Sequence, residues 1–533
     1  MAVLDTAIDP RNPTYQENRD AMLERLGALV NALDLARAGG GERHVTRHHA
    51  RGRLMPRERI DLLLDQDAPF LELSPVAGWH TDQPVGAGVV TGLGVVEGVE
   101  CVIVAHDPTV RGGVLNPIAL RKIERAGEIA LANRLPLISL VESAGADLPA
   151  QVEAFVPGGS VLRDLARLSA GRIPTICVVF GDAVDVAAWL PGLSDYTVLV
   201  RGQAKVSVAG PRLVQEATGE IPDGEALGGA AMHATRSGLA DFLAEDERDA
   251  VRLARQCMRR LNWRKLGPPP RTALAAPPKY DAEDLLAIPP ADERTPFDPR
   301  EVLARILDAS DFDEVKPGYG TALVTGWGEV HGYPVGVLAN ARGPLASAEA
   351  QKGAQFIQLA NASGTPLIFL QNAPGLRTGA EFEQAGIVKH ASAMMSAVAA
   401  SGVPHLAVNL GAAHGPAAYA MSGRAMAPRF LFSWPNARAA ALVPERLTGV
   451  LTALARQAAE VKGQRYEEDF DRNLRVNVER QVEAQTAALF VSGRLHDDGV
   501  IDPRDTRTVL GLCLSAIHSG PVGGADRFGV FRM

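Results

Sequence analysis

A bend of small residues in the second half of the sequence is suited to stabilising a negatively charged oxygen. The apolar run from Pro404 to Leu410 predicts a buried strand, and residues 411–418, GAAHGPAA, predict a tight turn into a helix. Such a turn directs free backbone N–H groups and the positive end of a helix dipole at one point. That point can hold an oxyanion, for example a thioester oxygen that becomes an enolate oxygen. The alternative is that these small residues only let a helix pack closely on a sheet.

The same order of features occurs about 230 residues earlier in the chain. Residues 171–200 repeat it, with Pro174 at the position of Pro404 and Gly181 at that of Gly411. Two further pairs of segments recur with a similar offset, namely 134–149 with 364–379 and 89–107 with 323–341. Self-similarity at so long a period indicates a duplicated domain rather than a solenoid of short repeats.

Alternating strand and helix patterns run through both halves and predict an α/β fold. We place the first domain at residues 1–264, with helices at its N-terminus, and the second at 297–533. The Pro-rich, polar segment 265–296 is interpreted as the linker between them. Four arginines lie on one side of a predicted N-terminal helix, which we interpret as a solvated or salt-bridged face: Arg51, Arg53, Arg57 and Arg59.

Composition and charge exclude several classes of function. The chain has 533 residues, of which 46% are hydrophobic and 22% charged, as expected for a soluble protein of more than one domain. A net charge of −8 argues against nucleic acid or an acidic membrane as a partner. The four cysteines are far apart, so neither a disulfide framework nor a metal site is predicted. No signal peptide or membrane-length apolar run is visible, and we expect a cytoplasmic protein.

Several long segments resemble, in the same order, the carboxyltransferase (β) subunits of biotin-dependent acyl-CoA carboxylases, above all the methylcrotonyl-CoA and propionyl-CoA carboxylase types. They include RGRLMPRERIDLLLDQDAPFLELS (51–74), TGLGVVEGVECVIVAHDPTVRGG (91–113), NRLPLISLVESAGADLP (133–149), PLIFLQNAPGLRTGAEFEQAGIVKHASAM (366–394) and DDGVIDPRDTRTVLGL (497–512). The resemblance implies two duplicated crotonase-like domains per chain, the first holding acyl-CoA and the second admitting biotin. It also implies a homo-oligomer, commonly a hexamer, with active sites between subunits.

The reaction implied by the resemblance is transfer of a carboxyl group from carboxybiotin to an acyl-CoA thioester. The partner would be a biotin carboxylase and biotin carrier subunit, and the carrier should be a separate chain because no Met-Lys-Met biotinylation motif occurs here. Two oxyanion holes built from backbone N–H groups, one in each duplicated bend, would stabilise the developing charge. No side-chain base is then needed, because the biotin anion removes the substrate proton.

Carried over residue by residue, the resemblance assigns two groups of site residues. The acyl-CoA loops fall on Arg111, Gly112 and Gly113 and on Ala144, Gly145 and Ala146, and the oxyanion bends on Val186 and Ala187 and on Gly415, Pro416 and Ala417. Both bends depart from the Gly-rich family pattern, and Pro416 has no N–H to donate. Asp182, Asp185 and His414 add ionisable side chains that could act as acid or base, or could simply be exposed polar residues.

Because both bends are altered, three functions stay open at the level of sequence. The first is an active carboxyltransferase subunit with an unusual acyl-CoA. The second is a biotin-independent enzyme acting on acyl thioesters, a decarboxylase or hydrolase, since either reaction still needs one oxyanion hole. The third is a non-catalytic subunit that occupies a place in a hetero-oligomer.

Overall fold

The computed structural model describes residues 2–272, 274–292, 295–340, 343–466 and 468–532. Its strands are β1 (Ala2–Val3), β2 (Leu71–Leu73), β3 (Val89–Val96), β4 (Val99–His106), β5 (Leu137–Ser143), β6 (Thr175–Val184), β7 (Tyr196–Val200), β8 (Lys205–Ser207), β9 (Phe242–Ala244), β10 (Asp311–Glu314), β11 (Leu323–Val330), β12 (Tyr333–Asn340), β13 (Leu367–Ala373), β14 (His405–His414), β15 (Phe430–Ser433) and β16 (Arg438–Ala440). They form two sheets. One has the order β2-β3-β4-β5-β6-β7-β9 with β8 beside β6, and the other β1-β10-β11-β12-β13-β14-β15 with β16 beside β14.

Apart from β9 in the first and β1 in the second, the two sheets share one connectivity, which confirms the predicted duplication of an α/β unit. Each contains an antiparallel hairpin, β3–β4 or β11–β12, followed by parallel strands. Both hairpin turns have two residues of positive φ, Glu97 and Gly98 in the first and His331 and Gly332 in the second. This is the geometry of the two-residue turn whose twist matches that of the strands it joins.

The helices, in chain order, are α1 (Pro13–Arg37), α2 (Glu42–His49), α3 (Pro56–Leu63), α4 (Pro117–Asn133), α5 (Gln151–Ala170), α6 (Trp189–Leu193), α7 (Pro211–Thr218), α8 (Gly224–Gly228), α9 (Ala230–Met232), α10 (Glu247–Arg260), α11 (Pro299–Ile306), α12 (Ser347–Ser363), α13 (Ala380–Gln384), α14 (Ile387–Ala399), α15 (Gly415–Ala420), α16 (Pro444–Val461), α17 (Glu468–Thr486), α18 (Ala488–Ser492) and α19 (Thr506–Ile517). Among the helices so described, none is long and apolar enough to cross a bilayer.

Apolar side chains fill both faces of the first sheet because neighbouring residues of a strand point to opposite sides. On β4, Val102 belongs to the cluster that contains Ile123 of α4, whereas Ile103 belongs to the cluster that contains Ile60 of α3. The cluster around Val102 also contains Val337 of β12, so it includes side chains from both sheets. The two halves of the chain therefore share one apolar core.

The segment 265–296, predicted as the linker between the halves, contacts α1. Leu286 in the turn Ala282–Leu286 is buried, and Asn18 of α1 donates its side-chain N–H to Ala287 O at 3.0 Å. The first strand of the chain, β1, pairs with β10 in the second sheet rather than with the first. The limits proposed for the two domains, 1–264 and 297–533, stay predictions.

A buried pair of aspartates helps to hold the two halves together. Arg125 of α4 donates to both carboxylate oxygens of Asp498, at 2.8 and 3.0 Å, and Arg424 donates to one of them. Burial alone would raise the pKa of Asp498, but the two guanidinium groups lower that pKa to about 2. Burial raises the pKa of its neighbour Asp497 to about 6, although Ser433 donates a hydrogen bond to it.

We expect Asp497→Asn to stabilise the protein at neutral pH relative to the wild type. A folded-state pKa of about 6, above the ordinary value for an aspartate, means that wild-type stability falls as the pH rises from about 4 to 6 and stays lower above that range. Asparagine does not titrate, so the difference in unfolding free energy should grow by about 2–3 kcal/mol between pH 4 and pH 7. Thermal unfolding midpoints across this range measure it. A difference between variant and wild type that stays constant across this pH range would contradict the assignment. Asp61→Asn, at an exposed position, is the control.

Candidate active site

Two neighbouring parallel strands, β5 and β6, carry the site residues of the first half. Their carboxyl ends lie side by side, with Ser143 opposite Ala183 after a shift in the pairing register. The Ser143 hydroxyl donates to Gly113 O at 2.6 Å and accepts from the Gly145 N–H at 3.1 Å. Ser143 therefore fixes the loop after β5 against the loop that contains Gly113.

The two loops predicted to bind acyl-CoA lie in contact. Ala144 donates its N–H to Gly112 O at 3.2 Å, and Leu115 donates its N–H to Gly145 O at 2.8 Å. Gly113 has a φ of 72°, and a Cβ at this position would lie 2.4 Å from Glu142 O. Only glycine fits there, because both the backbone conformation and the space exclude a side chain.

The bend after β6 holds a carboxylate against a backbone donor, a contact that sequence reasoning missed. Asp185 has a φ of 56°, a left-handed conformation that aspartate tolerates better than most residues. Its Oδ2 accepts a hydrogen bond from the Ala146 N–H at 3.2 Å. Ala187, two residues on, is buried, and Val186 packs at the edge of the core.

The ionisable residue Asp182 is not part of this contact. It lies earlier on β6, opposite Lys205 of β8, and is exposed. Of the two aspartates predicted as acid or base in this half, the structure thus brings only Asp185 to the acyl-CoA loops.

The second half repeats the arrangement with different side chains. Ala373 of β13 lies opposite Ala413 of β14 after the same kind of register shift, and Leu345 donates its N–H to Gly375 O at 3.0 Å. Gly415 stands where Asp185 stands in the first half and has nearly the same φ, 54° against 56°. The common backbone shows that the two bends are the same structure built twice.

A cavity of about 220 Å³ opens at the second bend. Its lining includes His414, Gly415 and Pro416, together with the loop 374–378 and residues 441–443. Ala417 is fully buried behind them. His414 is the predicted ionisable residue that lies at this cavity, and Pro416 faces it without an N–H to donate.

A second cavity, of about 700 Å³, lies beside the acyl-CoA loops of the first half. It is basic, since its lining includes His44, Arg47, Arg51 and Arg111. Among the residues that the structure describes, neither Arg47 nor Arg51 makes an ion pair. The cavity reaches Gly112, whose carbonyl oxygen accepts a hydrogen bond from the Ala144 N–H. It therefore offers positive charge to an anionic group whose other end reaches that loop.

The arginine face is predicted to be solvated or salt-bridged, and three of its four members form ion pairs. Arg57 pairs with Glu72 at 2.8 Å, Arg53 pairs with Glu142, and Arg59 pairs with both Glu142 and Glu247. Arg51 is exposed and lines the basic cavity. The single helix predicted for all four is wrong, because Arg51 and Arg53 lie in the connection between α2 and α3. The two distances from Arg59 are 2.7 and 2.8 Å, and its side chain is fully buried. Burial alone would lower the pKa of Arg59, but the two carboxylates raise it.

Similarity to known proteins covers almost the whole chain. Residues 47–529 match the family model of the carboxyl transferase domain. The chain is 56% identical over 531 residues to the probable biotin-dependent acyl-coenzyme A carboxylase beta2 subunit of Mycobacterium tuberculosis, covering 100% of both chains. It is 43% identical over 514 residues to the biotin-dependent 3-methylcrotonyl-coenzyme A carboxylase beta1 subunit of the same organism, covering 95% of this chain and 96% of that one.

A solved structure extends the similarity to the fold. The β subunit of geranyl-CoA carboxylase from P. aeruginosa matches with a TM-score of 0.90 and 37% identity, covering 99% of both chains. This match confirms the predicted α/β fold with two duplicated crotonase-like domains. The chain therefore belongs to the carboxyl transferase domain family, among the carboxyltransferase (β) subunits of biotin-dependent acyl-CoA carboxylases.

Proposed function

We propose that this protein transfers a carboxyl group from carboxybiotin, carried on a separate subunit, to an acyl-CoA. One observation carries the proposal: the strand, loop and bend that can present backbone N–H groups are built twice, once beside a basic cavity and once at a cavity of about 220 Å³. The N-half loops 111–113 and 144–146 would hold the thioester, and the bend at Gly415 would meet biotin. Backbone donors at these sites would stabilise the enolate and the biotin oxygen.

The basic cavity suits the phosphate end of coenzyme A. Arg47, Arg51 and Arg111 line it, and Arg111 is positioned by its hydrogen bond to the Gln83 side chain at 3.3 Å. Guanidinium groups bind phosphate oxygens through paired N–H donors. With the phosphates there, the pantetheine arm would run past Gly112 towards the Ala144 loop.

We expect Arg51→Gln to raise the Kd for acyl-CoA about tenfold, because one charged hydrogen bond to phosphate is lost. Isothermal titration calorimetry measures this without the partner subunit. The same acyl group on N-acetylcysteamine has no phosphate, and its binding should not change. Arg248→Gln, an exposed arginine of α10, is the matched control. Equal losses with both thioesters would show that Arg51 does not act through phosphate.

The assembly that completes the site is also part of the proposal. At the start of α5, next to the acyl-CoA loops, apolar side chains are exposed, and Phe155 has 81% of its surface accessible. Leu442 at the second cavity and Leu454 and Val461 of α16 are likewise exposed. Apolar patches of this kind mark protein interfaces. We infer that the N-half face of one subunit packs on the C-half face of another, within a hexamer.

We expect Phe155→Glu to dissociate the assembly, because the introduced charge would be buried without a partner at the interface. Light scattering after gel filtration should give a smaller mass than for the wild type, and carboxyl transfer should fall with it. Leu35→Glu, at an exposed position of α1, should keep the wild-type mass. An unchanged mass for Phe155→Glu would argue against this interface.

Reconstitution tests the function itself. The purified protein is mixed with its biotin carboxylase and biotin carrier partner, ATP, bicarbonate and a panel of acyl-CoA thioesters, and products are identified by mass spectrometry. A carboxylated acyl-CoA supports the proposal. The second candidate, a biotin-independent thioester enzyme, is favoured by the missing N–H of Pro416, and it would release CO₂ or free CoA without the partner.

A cytoplasmic location belongs to the same proposal, and the four buried, unpaired cysteines are consistent with a reducing compartment.

A further inference from the structure

We propose that the Asp185 carboxylate occupies the place of the acyl-CoA thioester at the loop 144–146 of the first half, so that an acyl-CoA must displace it to bind. Asp185 thereby weakens acyl-CoA binding. This inference rests on the proposed acyl-CoA site, and it adds an internal competitor that the duplicated second site lacks.

The first support is the contact itself. Asp185 Oδ2 accepts from the Ala146 N–H at 3.2 Å, and the Asp185 side chain lies over the neighbouring glycine. A Cβ placed on Gly145 would come within 2.9 Å of Asp185 Cβ and 3.5 Å of its Oδ2. The carboxylate therefore fills the space directly above the loop, where a ligand oxygen would need to lie to use the same donor.

The two halves of the chain differ in the side chain at this position of the bend. Gly415 has the backbone conformation of Asp185 but no side chain, and its surroundings form an open cavity lined by Gly375 and Leu376. Gly375 and Leu376 correspond to Gly145 and Ala146, since each pair forms the same bridge to the preceding loop. The bend is thus open where residue 415 is glycine and covered where residue 185 is aspartate.

The consequence is electrostatic as well as steric. A carboxylate on a backbone N–H has the charge and the acceptor geometry of an oxyanion. It satisfies the donor in the empty site, and its charge opposes an enolate that develops next to it. A ligand must break the Asp185–Ala146 hydrogen bond and move the carboxylate away before its own oxygen can bind.

Two variants at position 185 test the proposal. Asp185→Gly removes the side chain and keeps the left-handed backbone, as Gly415 does, whereas Asp185→Asn keeps the size and removes the charge. Calorimetry with the homo-oligomer and an acyl-CoA reads binding alone, and unfolding midpoints check the fold. Asp61→Asn, an exposed carboxylate on α3, controls for the change in net charge. We expect Asp185→Gly to bind acyl-CoA about tenfold more tightly than wild type, with Asp185→Asn between them.

Equal or weaker binding by Asp185→Gly, in a protein with a wild-type unfolding midpoint, overturns the proposal. Weaker binding that Asp185→Asn restores also overturns it, because Asp185 would then contact the acyl group as a recognition residue. Failure of the proposed function is distinguishable: the variant would bind acyl-CoA more tightly, yet neither protein would form a carboxylated product with the partner subunit.

Discussion

Replacing Gly415 by valine should lower the rate of carboxyl transfer by about a hundredfold or more. Gly415 has a φ of 54°, and a Cβ added to it would lie 2.9 Å from Ala441 O. A β-branched residue does not adopt this conformation, so the bend must move and its backbone donors must leave their positions. The turnover number of the reconstituted holoenzyme, at saturating acyl-CoA, measures the loss.

The control for this variant must separate the site from the fold. Gly27→Ala changes a glycine of α1 whose added Cβ would meet nothing within 4 Å, and it should leave turnover unchanged. The Gly415→Val protein should keep the oligomer mass and the acyl-CoA affinity of the wild type, since acyl-CoA is held by the other half. Full turnover by Gly415→Val would exclude the second bend from the catalytic machinery.

Replacing Arg59 by methionine should destabilise the protein by about 3–5 kcal/mol, the largest stability effect that we expect. The guanidinium is fully buried between Glu142 and Glu247, so its removal leaves Glu247 in an apolar region without a counter-charge and leaves Glu142 with Arg53 alone. Glu142 belongs to β5, whose end carries the acyl-CoA loop. Loss of Arg59 should therefore loosen the site before the whole fold is lost.

Urea unfolding, compared with that of Arg57→Met, measures this effect. Arg57 pairs with Glu72 at 2.8 Å but is partly exposed, so its loss should lower the unfolding free energy by less than about 1 kcal/mol. Adding Glu247→Gln to Arg59→Met should restore part of the loss, because the unpaired charge disappears. Similar losses for Arg59→Met and Arg57→Met would mean that the buried triad contributes no more than a surface pair.

The parts of the fold that the sequence predicts well depend on local patterns repeated at a fixed offset. Gly181 and Gly411 mark equivalent positions because a Cβ on either would strike a side chain of the neighbouring strand, Glu142 on β5 in one half and Asn372 on β13 in the other. A position without space for a Cβ appears in the sequence as a glycine, here at the same place in both halves.

The missed features depend on side chains that meet from distant parts of the chain. Nothing in the spacing of Ala146 and Asp185 indicates that a carboxylate bonds that N–H, because the contact depends on one side-chain rotamer at a left-handed residue. Arg51 is a similar case: Arg53, Arg57 and Arg59 have acidic partners, whereas Arg51, in the connection between α2 and α3, lines a cavity together with Thr109. Periodicity gives the face of a helix, but not the charge of whatever packs on it.

A structure of the assembled protein with an acyl-CoA bound would show whether the two bends form one site. We expect the thioester oxygen to lie about 3 Å from the Val186 or Ala187 N–H, with Asp185 displaced from the Ala146 N–H and the phosphates near Arg51. The bend at Gly415 of a neighbouring subunit should face the same cleft. An acyl-CoA bound away from the Ala146 loop would contradict a carboxyl-transfer site formed by two copies of one bend. A Gly415 bend turned away from that cleft would contradict it as well.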